Sequence, residues 1–263
     1  MNPFFFGSSR KQLFGVHHPP KAATTRSSGI LLCYPFGDEY MRTHKASRQL
    51  AMMLAKAGYH LLRFDYFGTG DSAGAGEDVT VDQWLEDIAT AADELKETSG
   101  VARLSIIGLR LGATLAARAI ATRTDVEDLV LWDPVVTASG YVEELMAAPF
   151  SSLGPGGIKD RQATLGAAGF PVTPALRNAF DEMDLSKMPL DAARRVALVT
   201  SHERPDYTLL KERLQAQRAQ SFVHQLVPSP APWIEMEKSN GAMVLPHQII
   251  QAIAGHLTGN EPS

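Results

Sequence analysis

Arg103-Leu104-Ser105-Ile106-Ile107-Gly108-Leu109-Arg110-Leu111-Gly112-Ala113 is the stretch that decides the fold. Its first five residues read as a buried strand, and 111–121, rich in alanine and leucine, reads as the helix that follows. Gly108 and Gly112 stand two positions either side of Arg110. A strand-to-helix turn this sharp needs small residues there, because a side chain at either place would strike the neighbouring backbone. The apex of the turn is arginine. A guanidinium stays protonated at physiological pH, donates hydrogen bonds only, and cannot attack a carbonyl.

Outward from this turn, apolar runs alternate with amphipathic stretches, the pattern of a mainly parallel sheet flanked by helices. The sequence predicts strands over 13–17, 29–34, 60–65, 103–107, 128–132, 196–200 and 221–227. Helices are expected over 43–57, 81–98, 111–121, 206–218 and 246–257. In the second of these, Trp84, Leu85, Ile88, Ala91, Ala92 and Leu95 share one face at helical spacing, as core residues do. The alternation breaks over 141–190, which holds Pro149, Gly154-Pro155-Gly156-Gly157, Gly166 and Pro171 with short helical fragments. So long a segment without strand periodicity predicts a lid or insertion. The expected organisation is an α/β core of 1–140 and 191–263 with a small helical cap over 141–190.

Hydrophobic residues make up 44% of the 263, enough for a sizeable core. A net charge of −4, with Arg10-Lys11 and Arg194-Arg195 as isolated pairs and not patches, argues against a nucleic-acid binder. A single cysteine excludes an internal disulfide, and no cluster has zinc-ligand spacing, so no cofactor is expected. No apolar run approaches the ~20 residues that span a bilayer. Residues 1–7 are too short for a secretion signal and lack a basic leader, so the expected location is the cytoplasm.

Three sites together carry a family resemblance. One is the turn at Arg110. Another is Asp65-Tyr66-Phe67-Gly68-Thr69-Gly70-Asp71-Ser72-Ala73-Gly74, and the third is Tyr34-Pro35-Phe36-Gly37-Asp38-Glu39. In this order they resemble the α/β-hydrolase superfamily over about 13–257: its nucleophile elbow, its glycine-spaced strand-end loop and its oxyanion loop. The chain looks most similar to serine-aminopeptidase-like (S33-type) hydrolases, nearest to an exosortase-system-associated branch that also carries a Gly-Leu-Arg-Leu-Gly elbow. The resemblance implies an α/β-hydrolase fold and an ester, thioester or amide substrate. It also implies a setting in bacterial exopolysaccharide or acyl-group metabolism.

That family needs a nucleophile at the elbow, an acid after a later strand, and a histidine near the C-terminus. Arg110 occupies the first place. Glu203 or Asp206, after the strand at 196–200, and Asp133, ending the strand at 128–132, are the candidate acids. The histidine slot falls near Lys238-Ser239-Asn240-Gly241, which has no histidine, and His247 reads as a first-turn surface residue. A serine mechanism is therefore not expected. The candidate catalytic residues are Arg110, Glu203 and Asp133, and the candidate substrate-binding residues are Phe36, Gly37, Asp38, Glu39, His44 and Leu111.

Three readings of Arg110 stand side by side. In one it pairs with Asp38, Glu39, Asp133 or Glu203 and plugs the pocket, since buried charge must be compensated. In another it receives an anionic acyl ligand in an open pocket, with Glu39 or Glu203 activating water. In the third the chain is a silent relative that scaffolds a partner, with 154–157 and 228–233 as contact surfaces. The expected partner is accordingly a small acyl or anionic ligand, a protein, or a second copy in a homodimer. Elsewhere, Cys33 reads as a structural thiol, His17-His18 as an exposed strand end, and His44 as the best-placed spare base. His202 is expected near the pocket mouth, and Asp65 is expected to fix its own turn through backbone hydrogen bonds.

Overall fold

The computed structural model describes residues 1–147, 166–167, 170–216, 221–231 and 245–259. An eight-stranded sheet runs in the order β1-β2-β4-β3-β5-β6-β9-β10. Its strands are β1 (Asn2–Phe6), β2 (Leu13–His18), β3 (Ser28–Cys33), β4 (His60–Phe64), β5 (Arg103–Leu109), β6 (Val126–Trp132), β9 (Ala193–Thr200) and β10 (Ser221–Leu226). From β4 to β10 the strands pair in parallel, while β1–β2 and β2–β4 are antiparallel. Two short strands, β7 (Gly166–Ala167) and β8 (Phe170–Pro171), form a separate ladder. Helices α1 (Asp38–Lys56) and α7 (His247–Thr258) pack on each other and on β4 and β9. Helices α2 (Val81–Ser99) and α3 (Leu111–Ala119) pack on each other and on β3 to β6. The remaining helices are α4 (Tyr141–Ala147), α5 (Pro174–Asp181) and α6 (Pro205–Ala216).

Local chemistry sets these boundaries. Thr80 caps α2 by accepting from the Gln83 N–H at 3.1 Å, and Gly100, at φ 72°, ends it in the left-handed region. Trp84, Ile88, Ala91, Ala92 and Leu95 are all buried, as their spacing predicts, and Leu85 packs partly buried against them. Helix α1 starts five residues before the expected 43, because Gly37 at φ 68° turns the chain and Asp38 and Glu39 enter the first turn. Carboxylates are favoured there by the helix dipole.

Strand β1 is absent from the sequence reading, and its presence corrects another expectation. Phe4 pairs with Gly15, and the Phe6 ring fills the space a Cβ at Gly15 would need, 2.7 Å away. With β1 on one side and β4 on the other, β2 is interior, so His17 and His18 are buried and do not form an exposed strand end. His17 Nε2 lies 3.1 Å from His60 Nδ1 with the rings stacked, and His18 Nε2 accepts from Arg63 Nε at 3.1 Å.

Asp65 does fix its turn. Its carboxylate accepts from the Asp71 N–H at 3.1 Å and from the Tyr40 hydroxyl at 2.8 Å, and Gly70 leaves room for it. Among the described residues no helix is long and apolar enough to cross a membrane. None of them forms a group of three or more metal-binding side chains either. Between β6 and β9 the chain carries α4, the β7–β8 ladder and α5. The glycine run at 154–157 and residues 232–244, which include Pro232, Trp233 and the expected histidine slot, lie outside the described residues.

Candidate functional site

Arg110 stands where β5 gives way to α3, with φ 53° and ψ −123°. Only Asp133, at the end of the neighbouring β6, shares a positive φ among the described non-glycine residues. Conformations of this kind cost on the order of 1–3 kcal/mol and persist where the surroundings over-determine them. Here they do. The Arg110 N–H donates to Trp132 O at 3.0 Å, and its carbonyl accepts from Ala113 at 3.0 Å and Val135 at 3.3 Å. A Cβ at Gly108 would lie 2.3 Å from the Ala113 Cα, and one at Gly112 2.3 Å from the Tyr34 carbonyl. The glycine pair is thus a steric requirement of the turn.

The Arg110 side chain is 1% exposed, and each of its three nitrogens donates a hydrogen bond. Nε donates to Glu39 Oε1 at 2.9 Å, Nη2 to Glu144 Oε1 at 2.9 Å, and Nη1 to the Asp133 carbonyl at 3.4 Å. Glu39 comes from the first turn of α1 and is buried; its other oxygen accepts from the Tyr141 hydroxyl at 2.6 Å. The Tyr141 ring lies 5.9 Å from the guanidinium carbon. Burial pushes the Glu39 carboxyl upward, and Arg110 and Tyr141 pull it back only in part. Burial alone would weaken the charge on Arg110, but the field of Glu39, joined by Tyr141, Tyr207 and Glu144, outweighs it and holds the guanidinium more firmly protonated than usual.

Of the four acids expected around Arg110, only Glu39 reaches it with its carboxylate. Asp38 pairs with Arg42 on its own helix. Asp133 turns its carboxylate away: Oδ1 accepts from the Ser201 N–H at 2.7 Å, anchoring the loop after β9, and Oδ2 has no partner among the described residues. Burial raises the Asp133 carboxyl above its ordinary range. Glu203 is exposed and makes no contact with Arg110, because the loop after β9 is only four residues long before Pro205 opens α6. Asp206 holds Arg204 at 3.0 Å instead. Neither Glu39, locked between two donors, nor Glu203 is placed to activate a water on Arg110, which corrects that expectation.

The other candidates are scattered. Phe36 is buried against Trp84, Phe170 and Phe180. Gly37 precedes α1, and Leu111 is the buried first residue of α3. His44 lies on the exposed face of α1, stacked on Tyr34, and no described hydrogen bond joins it to Arg110, Glu39 or Asp133. His202 Nδ1 lies 2.8 Å from Ser201 Oγ and 3.8 Å from Asp133 Oδ1, beside the site. His247 is exposed and bonds Gln49 at 3.0 Å.

Tyr141 and Glu144 escaped the sequence reading. Their three-residue spacing puts both on one face of a helix, the signal that would have found them. Around the expected oxyanion loop, a cavity of about 10 Å³ remains between Tyr34, Phe36, Tyr40, Tyr66, Trp84 and Phe170, room for roughly one water. As the chain stands the guanidinium is enclosed by Glu39, Glu144 and the Tyr141 ring, so the open pocket expected beside it is not present.

The family model for serine aminopeptidase, S33, matches residues 37–159, a span that includes the turn at Arg110. No curated protein matches the sequence. Among solved structures, Est1E from Butyrivibrio proteoclasticus, with ferulic acid bound, is 16% identical with a TM-score of 0.68, covering 98% of each chain. Mouse alpha/beta hydrolase domain-containing protein 10 is 17% identical at 0.63, covering 98% of this chain and 99% of its own. XC6422 from Xanthomonas campestris, an a/b serine hydrolase without lid, is 15% identical at 0.61, covering 98% and 92%. A likeness along nearly the whole length of these structures shows that the chain has the α/β-hydrolase fold, and the family match spans its sharpest turn.

Proposed function

We propose that this chain is a non-hydrolysing relative of the α/β hydrolases, a binding or scaffold protein whose acyl site is filled by an ionic plug. One observation carries the reading: the elbow apex is a buried, permanently charged arginine, each of whose three nitrogens donates to Glu39, Glu144 or the Asp133 carbonyl. An apex group that cannot lose a proton forms no acyl intermediate. The resemblance in the sequence supports a cytoplasmic role beside a bacterial exopolysaccharide or acyl-group pathway. The stretch 141–190 acts as a cap in this reading, with Tyr141 and Glu144 fastening its first helix to the core.

The test is turnover of short-chain nitrophenyl esters and thioesters by the native protein and by Arg110→Ala, with fluorophosphonate labelling followed by mass spectrometry. No turnover and no labelled serine are expected from either protein. Native turnover that vanishes with the substitution would overturn the proposal. So would stoichiometric labelling of Ser201, the serine that touches both His202 and Asp133.

A further inference from the structure

We infer that the space between Arg110 and Arg204 is a binding site for a monoanionic carboxylate ligand, and that Glu144 occupies it as a built-in stand-in. The inference rests on the reading of Arg110 as a non-catalytic cation. Glu144 Oε1 lies 2.9 Å from Arg110 Nη2 and 3.7 Å from Arg204 Nη1, so two guanidiniums from different parts of the chain converge on one carboxylate oxygen. The network runs from the core to the surface. The side chains of Arg110 and Glu39 are 1% and 6% exposed, whereas those of Glu144 and Arg204 are 44% and 32% exposed. Glu144 is the member that meets water.

The two acids on Arg110 are held unequally. Glu39 belongs to the 19-residue α1, packed against the sheet, and has a second bond from Tyr141. Glu144 belongs to the seven-residue α4, entered through Gly140 at φ 82°. When Glu144 swings outward, Arg110 keeps its Glu39 partner, and its Nη2 donor is freed for water or an incoming acceptor. A guanidinium N–H bonds an ionised acceptor more strongly than a neutral one, so that position favours a carboxylate that can reach it.

A second observation points the same way. Tyr207 is buried, its ring lies 5.6 Å from the Arg204 guanidinium carbon, and its hydroxyl has no partner among the described residues. It is a buried donor beside Arg204 that Glu144 does not use. The ligand is a monoanion and not a phosphate, because the Glu39 carboxylate already stands on Arg110, and an acidic neighbour repels a dianion more than a carboxylate.

The experiment compares native protein, Glu144→Ala and Glu144→Gln by thermal unfolding and ligand-observed NMR, with propionate against chloride and phosphate at matched ionic strength. Propionate should raise the melting temperature of both variants and bind them about tenfold more tightly than the native protein, where Glu144 competes. Adding Arg204→Ala to Glu144→Ala should abolish most of that gain. A shift equal with phosphate or chloride, or no shift with propionate in either variant, overturns the inference. Ester turnover by the native protein would sink the proposed function and leave these melting curves unchanged, so the two failures are distinguishable.

Discussion

Arg110→Met removes the cation and keeps a flexible apolar chain of similar reach, so its cost measures what the guanidinium does for the fold. Glu144 is half-exposed and turns to water once released. Glu39 cannot: it is buried, and only the Tyr141 hydroxyl remains to it. Breaking a buried pair by removing one partner costs about 3–5 kcal/mol, because the other charge is left uncompensated. At about 2–4 °C per kcal/mol for a chain of this size, the melting temperature should fall by roughly 10 °C. The sign of the pH dependence follows from Glu39. Burial already raises its folded carboxyl above 4.5, and without Arg110 it rises further. The folded variant then holds a proton that the unfolded chain has released, so stability falls as pH rises above the unfolded value. The gap between native and Arg110→Met should widen from pH 5 to pH 8 in urea titrations. Glu39→Gln added to Arg110→Met should recover at least half of the loss and flatten that slope. A variant that melts with the native protein, or a double variant no better than the single one, would refute the account of Arg110 as a compensated buried charge.

The remaining predictions concern the frame and its buried groups. Gly112→Ala should lose about 3 kcal/mol or more by denaturant unfolding, since its Cβ meets the Tyr34 and Cys33 carbonyls at 2.3 and 2.4 Å and backbone cannot yield as side chains do. Gly140→Ala, with open space around its Cβ, should cost only its backbone strain, about 1 kcal/mol. Cys33 is buried and its thiol is pushed up to about 12, so it should resist thiol reagents in the native state and react at once in denaturant. Burial lowers His17, His60 and His18, the last to about 4. The unfolded chain therefore binds protons that the folded one refuses, and stability should fall as pH drops from about 6.5 towards 4. His18 accounts for on the order of 3 kcal/mol of this. Asp87, raised to about 6, works in the opposite direction over part of that window. His18→Gln should flatten the acid limb of the stability curve, and an unchanged limb would show that His18 is not responsible.

What could be read from the sequence follows the range over which each residue acts. Gly108, Gly112 and Thr80 work on backbone within a few positions of themselves, so the turn at Arg110 and the start of α2 are legible as strings. The partners of Arg110 are not. Glu39 lies 71 residues before it and Glu144 34 residues after it, and their meeting depends on how far α1 and α4 extend. A helix starting at 43 would leave Glu39 in a loop, whereas the chain turns at Gly37 and brings the carboxylate round in a helical first turn. A single omission also propagates. Without β1, β2 is an edge strand and His17-His18 looks exposed; with it, both rings are interior. Glu203 failed for a third reason, register: Pro205 opens α6 so soon that the backbone of Ser201, not the side chain of Glu203, faces Asp133. The common thread is electrostatic. A sequence shows that Arg110 is charged and that the strand before it is buried, and those two facts together require an acid nearby. Which acid answers is decided by helix starts and loop lengths, so the requirement was visible in one dimension while its solution, Glu39 with Tyr141 and Glu144, exists only in three.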